Sequence, residues 1–123
     1  MKKKILIADD DDSLRLLLQA TLRDSRYEIM EATGGVQALA LREKHAPDLV
    51  ILDISMPGLS GLEVCRMIKE NPQSAKTPVI MLTASGHSSD RSQAASVGAD
   101  EFMAKPFSPL ALLGLVERLL TKE

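Results

Sequence analysis

Aromatic residues and cysteines are scarce in this sequence. Among its 123 residues are two Phe, one Tyr, no Trp and a single cysteine, Cys65. One cysteine excludes an internal disulfide, which predicts a cytoplasmic setting. Cys65 lies in an amphipathic stretch and is predicted to be a small core or part-buried residue. An aromatic content of 2% leaves few rings to stack on a flavin, so the composition disfavours a flavin-binding protein.

Long apolar runs and an excess of one charge are also missing. The apolar run at residues 5–8 is too short for the hydrophobic region of a signal peptide, and nothing approaches the length of a membrane span. Fifteen Lys and Arg against 17 Asp and Glu give a net charge of −2, so no basic field attracts nucleic acid or an anionic membrane. We therefore expect no direct nucleic-acid partner and no membrane partner. No G-x-G-x-x-G sequence follows a strand pattern, which excludes the dinucleotide fingerprint.

The sequence does contain a regular alternation of strand and helix patterns. Five short apolar runs predict strands at residues 4–8, 27–31, 49–53, 78–83 and 100–104. The middle runs are apolar almost throughout, as expected when helices cover both faces of a parallel sheet. We predict a single domain over residues 1–123, an α/β fold with a doubly wound five-stranded parallel sheet. Its five alternating βα units are expected to adopt the flavodoxin-like strand order 2-1-3-4-5.

Helical patterns fill the intervals between the strands. The predicted core face of the first helix is Leu14, Leu17, Leu18, Thr21 and Leu22. The predicted core face of the second helix is Val36, Leu39 and Ala40. Pro72 and Gly98 predict the ends of the third and fourth helices. The predicted core face of the last helix is Leu112, Leu113, Val116, Leu119 and Leu120.

The last helix is apolar beyond this core face. Leu110 and Leu115 flank the face, and one explanation is a pair of part-exposed leucines, which is common. The alternative, which we adopt as a hypothesis, is that the two leucines form a docking surface for a partner or for a second copy of the chain.

Polar residues gather where the predicted strands end. These residues are Asp9 and Asp10 after the first strand, Asp53 in the third, Thr83 in the fourth and Lys105 after the fifth. Ligands of such sheets bind beyond the carboxyl ends of the strands, so we expect the five side chains at one edge. Three carboxylates indicate a divalent cation held by oxygens, with Mg²⁺ as the abundant candidate. A lysine and a hydroxyl at the same edge suit a phosphoryl group.

Other polar residues have ordinary structural explanations. Taken alone, the aspartates at the strand ends could cap a helix, the threonine could be a residue that favours β-structure, and the lysine could be an ordinary surface residue. Their common placement at the strand ends favours a functional site instead. Asp11 and Asp12 are predicted to cap the first helix and suit its dipole, without a role in metal binding. His45 and His87 have no cysteine or second histidine at ligand spacing, which predicts solvated loop residues.

With these motifs in order, the sequence resembles the receiver domain of two-component response regulators. The resemblance covers residues 3–120 and rests on the paired acids and three further motifs. These motifs are LVILDISMPGLSG around Asp53, VIMLTA around Thr83 and FMAKPF around Lys105. The resemblance implies that a histidine kinase or a histidine phosphotransfer protein donates a phosphoryl group to Asp53.

The resemblance also implies a role for each residue of the site. The implied Mg²⁺ ligands are Asp9, Asp10, Asp53 and the backbone carbonyl of Ser55, and the implied catalytic residues are Asp53, Thr83 and Lys105. Thr83 would be the switch hydroxyl and Phe102 the switch aromatic, a position where tyrosine is frequent. Ser55 and Ser85 stand where the family tunes the lifetime of the phosphate. Pro106 is expected to form a rigid peptide bond, of the kind that can be cis, which aims Lys105.

The predicted consequence of phosphorylation is a change in the face formed by the fourth helix, the fifth strand and the fifth helix. In the family this face binds partners and forms phosphorylation-linked homodimers. Leu115 stands where the transcription-factor branch of the family has an arginine, which argues against the dimer of that branch.

The function predicted from these features is a phospho-acceptor signalling module rather than an enzyme that turns over a metabolite. It would catalyse only its own phosphorylation and dephosphorylation. The sequence leaves open whether the chain is a complete single-domain regulator or a receiver excised from a longer regulator or hybrid kinase. A haloacid-dehalogenase-like phosphatase is a distant alternative, because that family needs a second acid two residues after its nucleophile, where Ser55 stands.

Overall fold

Strands and helices alternate throughout the computed structural model, which describes residues 2–84 and 88–121. The strands are β1 (Lys3–Ala8), β2 (Tyr27–Ala32), β3 (Leu49–Asp53), β4 (Val79–Thr83) and β5 (Glu101–Ala104). The helices are α1 (Asp12–Thr21), α2 (Gly35–His45), α3 (Gly61–Glu70), α4 (Ser88–Ser96) and α5 (Pro109–Thr121). All five predicted strands are present, and their ends differ from the prediction by at most one residue. The predictions for Ser85 and His87 lie outside the described residues.

The five strands form one parallel sheet in the order β2-β1-β3-β4-β5, which confirms the predicted topology. The register sets Ala8 beside Leu52, Asp53 beside Leu82, and Thr83 beside Ala104. Every residue of β3 and β4 is buried, because helices cover both faces, and this accounts for their unbroken apolar sequences. The carboxyl ends of β1, β3, β4 and β5 therefore finish at a common edge.

Two apolar cores lie on opposite faces of the sheet. On one face Leu6 and Leu52 pack in a cluster that includes Val64 and Ile68 of α3. The other core includes Ile7 and Ile51, from the same strands, together with Leu18 of α1 and Val116 of α5. Successive residues of a strand point to opposite faces, so each central strand contributes to both cores. Cys65 is buried in the first core, as predicted, and burial raises the pKa of its thiol to about 11.

The predicted core face of α2 is correct at Leu39, which packs partly buried against the first core, and wrong at its other two residues. Val36 is 69% exposed and Ala40 is exposed, whereas Gly35 and Ala38 are the buried residues of this helix. The reason is a close approach at Gly35, where an added Cβ would lie 2.5 Å from the carbonyl oxygen of Leu59. The small residues therefore turn inward, and the larger Val36 faces solvent.

The face predicted for α1 is correct in part. Leu18 and Leu22 are buried and Leu14 packs against the core, but Leu17 is 44% exposed. Asp11 is the N-cap, as predicted, and its carboxylate accepts hydrogen bonds from the backbone N–H groups of Ser13 and Leu14.

The fifth helix buries Leu112, Val116 and Leu119 against the sheet, as predicted. The two leucines that flank this face differ in accessibility. Leu110 is 81% exposed, whereas Leu115 packs partly against the core shared with α1. Their role in docking stays a prediction, with Leu110 the more accessible of the two. Among the described helices, none is both long and apolar enough to cross a membrane.

Candidate functional site

Two buried carboxylates and one ammonium group meet at the common edge of the sheet. Asp9, directly after β1, is fully buried, and Asp53, the last residue of β3, is 6% exposed. The Nζ atom of Lys105 lies 3.2 Å from Oδ2 of Asp9 and 3.2 Å from Oδ1 of Asp53. A buried carboxylate is costly without a partner, and one lysine here serves two.

A third carboxylate completes a cluster that fits a metal ion. One carboxylate oxygen from each of Asp9, Asp10 and Asp53 can be chosen so that all three lie within 4.8 Å of one another. Asp10 is exposed, so the cluster opens to solvent on its side. Three carboxylates against one ammonium leave an excess of negative charge, and an all-oxygen donor set suits a hard divalent cation. The residues present therefore fit the predicted Mg²⁺ site.

Two backbone N–H groups and the side chain of Arg15 hold the two buried aspartates in position. The N–H of Asp11 donates to Oδ1 of Asp9 at 2.8 Å, and Nη1 of Arg15 donates to the backbone carbonyl of Asp9 at 2.6 Å. The carboxylate of Asp53 accepts a hydrogen bond from the backbone N–H of Ser55. These contacts fix the carboxylates before any ligand arrives, which lowers the entropic cost of binding one.

The electrostatics of the cluster favour an added cation. Burial is the main cause that raises the pKa of Asp53, and the Asp9 carboxylate raises it further, against the opposing effect of Lys105. Burial lowers the pKa of Lys105, but the Asp53 and Asp9 carboxylates outweigh it, so the net shift is upward. Lys105 is therefore charged at neutral pH, and its charge only partly offsets the cost of ionising Asp53 in this buried position.

We expect Asp53→Asn to stabilise the metal-free protein at neutral pH. A carboxyl whose pKa is raised by folding destabilises the folded state wherever it is ionised in both states. This penalty disappears as the pH falls through the raised pKa toward the ordinary value of about 3.9. The melting temperature in EDTA at pH 7 should rise by roughly 3–5 °C, which corresponds to about 1 kcal/mol in a domain of this size.

The pH series checks the sign of this prediction. The advantage of Asp53→Asn over the wild type should shrink steadily as thermal melts are repeated at lower pH, and it should vanish near pH 3. An advantage that stays constant over the whole pH range would contradict an ionic origin.

Thr83 ends β4 at the same edge and is buried. Its Oγ1 atom donates to Oδ2 of Asp90, in the first turn of α4, at 3.1 Å. Asp53, Ser55, Thr83, Asp90 and Lys105 line an open cleft of about 320 Å³. Exposed Ser55 lies at this cleft, while the role of its carbonyl as a metal ligand stays a prediction.

Phe102 lies on β5, half-buried beside the core that contains α3. Its ring stands under the guanidinium group of Arg91, with Cζ 4.8 Å from the ring centroid. The peptide bond between Lys105 and Pro106 is cis, in agreement with the expectation for this pair.

The structure thus brings together the five strand-end residues predicted from the sequence. It adds three residues that the sequence reasoning missed: Arg15, Asp90 and Arg91. An acid in the first turn of a helix is common for reasons of the helix dipole, so nothing in the local pattern marks Asp90. His45 is the last residue of α2 and partly buried, so its prediction as a solvated loop residue is wrong. Among the described residues, the metal-compatible cluster does not include it.

Comparison with known proteins agrees with this geometry. The sequence profile described as "Response regulator receiver domain" matches residues 5–117. The chain is 39% identical over 122 residues to the alkaline phosphatase synthesis transcriptional regulatory protein PhoP of Bacillus subtilis. That match covers 99% of this chain and 50% of the relative, so the chain spans about half the length of the curated relatives it matches.

Solved structures are similar over nearly the whole chain. The chemotaxis protein CheY4 of Vibrio cholerae superposes with a TM-score of 0.90 at 34% identity, covering 98% of this chain and 100% of that one. The signal receiver domain of a signal transduction histidine kinase from Syntrophus aciditrophicus gives a TM-score of 0.89 at 32% identity, covering 97% and 90%. The similarity therefore extends to a regulator and to a domain of a kinase.

Proposed function

We propose that Asp53 accepts a phosphoryl group and thereby switches the surface of the protein, because this chain belongs to the family of response regulator receiver domains. One observation carries the proposal. The carboxylate of Asp53 lies at the edge of the sheet beside the Lys105 ammonium and within reach of the Asp9 and Asp10 carboxylates. A nucleophile, a cation for the transferred oxygens and a metal-compatible acid pair are thus adjacent.

The proposed donor is a histidine kinase or a histidine phosphotransfer protein. An oxygen of Asp53 attacks phosphorus, the P–N bond of the donor phosphohistidine breaks, and the imidazole leaves with the electron pair. The product is an acyl phosphate on Asp53. Lys105 donates to the phosphoryl oxygens and balances their charge.

The residues that would hold Mg²⁺ are Asp9, Asp10, Asp53 and the backbone carbonyl of Ser55. When bound, the ion neutralises charge on the transferring phosphoryl oxygens. The protein contributes positioning: the Asp11 N–H and Arg15 fix Asp9, and the Ser55 N–H fixes Asp53. In this proposal the chain is not an enzyme with an external turnover; it catalyses only its own phosphorylation and dephosphorylation.

The proposed output is a change in the face formed by α4, β5 and α5. Thr83 moves to the phosphoryl oxygens, Phe102 turns inward, and a protein partner or a second copy of the chain binds the altered face. Exposed Leu110 is the residue of α5 best placed for such a contact. The relatives named above are a transcriptional regulator, a chemotaxis protein and the receiver domain of a histidine kinase, so the downstream target is left unassigned. The proposed location is the cytoplasm.

The test of this function is the intact mass of the protein after exposure to two small phosphodonors, acetyl phosphate and phosphoramidate. We expect one alkali-labile phosphoryl adduct on the wild type in Mg²⁺, none in EDTA, and none on Asp53→Asn. Glu28→Gln is the matched control, because Glu28 is an exposed carboxylate near the start of β2 and outside the cluster.

Two results would contradict the proposal. An adduct on Asp53→Asn would assign the chemistry to another residue. A wild-type protein that binds Mg²⁺ but gains no adduct from either donor would contradict phospho-acceptance and leave a plain binding module.

A further inference from the structure

We propose that the first turn of α4 is a latch that holds both switch residues in their unphosphorylated positions. The latch consists of Asp90 and Arg91, two consecutive residues. Asp90 accepts the hydrogen bond from the Thr83 hydroxyl, and Arg91 covers the ring of Phe102. The inference rests on the proposed function, since it concerns how phosphorylation of Asp53 would be read out.

Competition for one proton is the first element of the latch. A threonine hydroxyl carries a single hydrogen, so Thr83 cannot donate a well-formed hydrogen bond to Asp90 and to a phosphoryl oxygen at the same time. Asp90 lines the same cleft as Asp53, and its 3.1 Å contact already uses this hydrogen. Asp90 is thus a rival acceptor that stabilises the unphosphorylated arrangement.

Charge repulsion is the second element. Phosphorylation would add negative charge and acceptor oxygens at Asp53, in the cleft that Asp90 also faces. Repulsion between the phosphoryl oxygens and the Asp90 carboxylate weakens the latch while the phosphoryl group attracts the hydroxyl. Phosphorylation of Asp53 therefore favours release of the Thr83 hydroxyl from Asp90 in two ways, by repelling the Asp90 carboxylate and by attracting the hydroxyl.

Adjacent placement in the chain couples the two switch residues. Arg91 follows Asp90 in the same helical turn, so displacement of this turn also moves the guanidinium group that lies over Phe102. The Arg91 side chain is exposed and Phe102 is half-buried, which lets the ring move once the guanidinium group has left. Loss of the contact at Thr83 is thereby transmitted to Phe102 of β5 through Arg91.

The scarcity of aromatic residues provides a clean probe. Phe102 and Phe107 are the only two phenylalanines, so protein grown with fluorophenylalanine gives two ¹⁹F signals, which Phe107→Leu assigns. We expect Asp90→Asn, without any phosphodonor, to move the Phe102 signal toward the position that it takes in phosphorylated wild type. The adduct from acetyl phosphate should form about three- to tenfold faster. Arg91→Met should move the signal in the same way.

The matched control is Glu70→Gln, which removes an exposed carboxylate at the far end of α3, away from the cleft. It should leave both the signal and the rate unchanged. A double-mutant cycle separates the latch from a general charge effect. In a Thr83→Ala background Asp90→Asn should no longer move the Phe102 signal.

A folded Asp90→Asn with an unmoved Phe102 signal would overturn the latch. So would a shift of equal size in the Thr83→Ala background, because it would not pass through the hydroxyl. Circular dichroism and thermal melts establish folding, and Asp90→Ser takes the place of a variant that fails them. If the wild type takes no phosphoryl group the proposed function fails, but the Phe102 signal of the variants, measured without phosphodonor, still decides whether the latch exists.

Discussion

Gly61→Ala is expected to destabilise the fold by about 3 kcal/mol or more, because the new methyl group would collide with backbone rather than with a movable side chain. An added Cβ would lie 2.0 Å from the carbonyl oxygen of Asp53 and 2.8 Å from its carbonyl carbon. Gly61 is the first residue of α3, and its N–H donates to the carbonyl of Ile54 at 2.8 Å. The helix begins in contact with the strand that carries the proposed phospho-acceptor, and only glycine permits this approach.

The matched control is Gly114→Ala, a replacement of the same kind inside α5. In the described part of the chain, nothing beyond the neighbouring residues and backbone of α5 lies within 4 Å of a Cβ added there, and the residue is exposed. Alanine should therefore stabilise this helix by about 0.5–1 kcal/mol, since it loses less backbone entropy on folding. Urea denaturation followed by circular dichroism measures both variants. Equal effects at the two positions would contradict the close approach at Gly61.

Gly61→Ala should also impair the site in conditions where the variant still folds. The collision displaces the backbone of Asp53, whose carboxylate oxygen lies 3.2 Å from the Lys105 ammonium. At low temperature, with circular dichroism confirming a folded protein, phosphorylation from acetyl phosphate should be slower than in the wild type. An unchanged rate would mean that the backbone of β3 tolerates the displacement without consequence for the site.

The strands and their ends were predictable from the sequence because a buried strand is a local run of apolar residues. The continuous apolar runs of β3 and β4 follow from helices on both faces, and parallel pairing then brings the ends of four strands to one edge. Asp9, Asp53 and Lys105 could be identified in this way, since each ends or follows a strand.

The remaining features depend on contacts between elements that are distant in sequence. Val36 and Ala40 of α2 were mispredicted as core residues because Gly35 approaches Leu59 closely, and a pattern of large apolar residues carries no information about such an approach. Asp90 and Arg91 were missed for a similar reason. Their partners, Thr83 and Phe102, are defined by where α4 docks.

Lys105→Met is expected to slow phosphorylation by acetyl phosphate about 100-fold or more, the usual cost of removing one group that stabilises charge in a transition state. The Lys105 ammonium lies 3.2 Å from both buried carboxylates, so its loss also removes the ion pair that Asp9 and Asp53 each make with it. In EDTA the variant should melt at a lower temperature than the wild type, and Mg²⁺ should remove much of this difference in melting temperature.

The same substitution should strengthen Mg²⁺ binding, by about tenfold, because a positive charge is removed from beside the ligands. Isothermal titration with Mg²⁺ measures this affinity, and Lys76→Met is the control, as Lys76 is an exposed lysine in the loop before β4. Opposite changes in rate and metal affinity distinguish a residue that acts on the phosphoryl group from one that supports the metal site. If both fell together, Lys105 would be a structural partner of the carboxylates, and charge neutralisation of the phosphoryl oxygens would have to come from elsewhere.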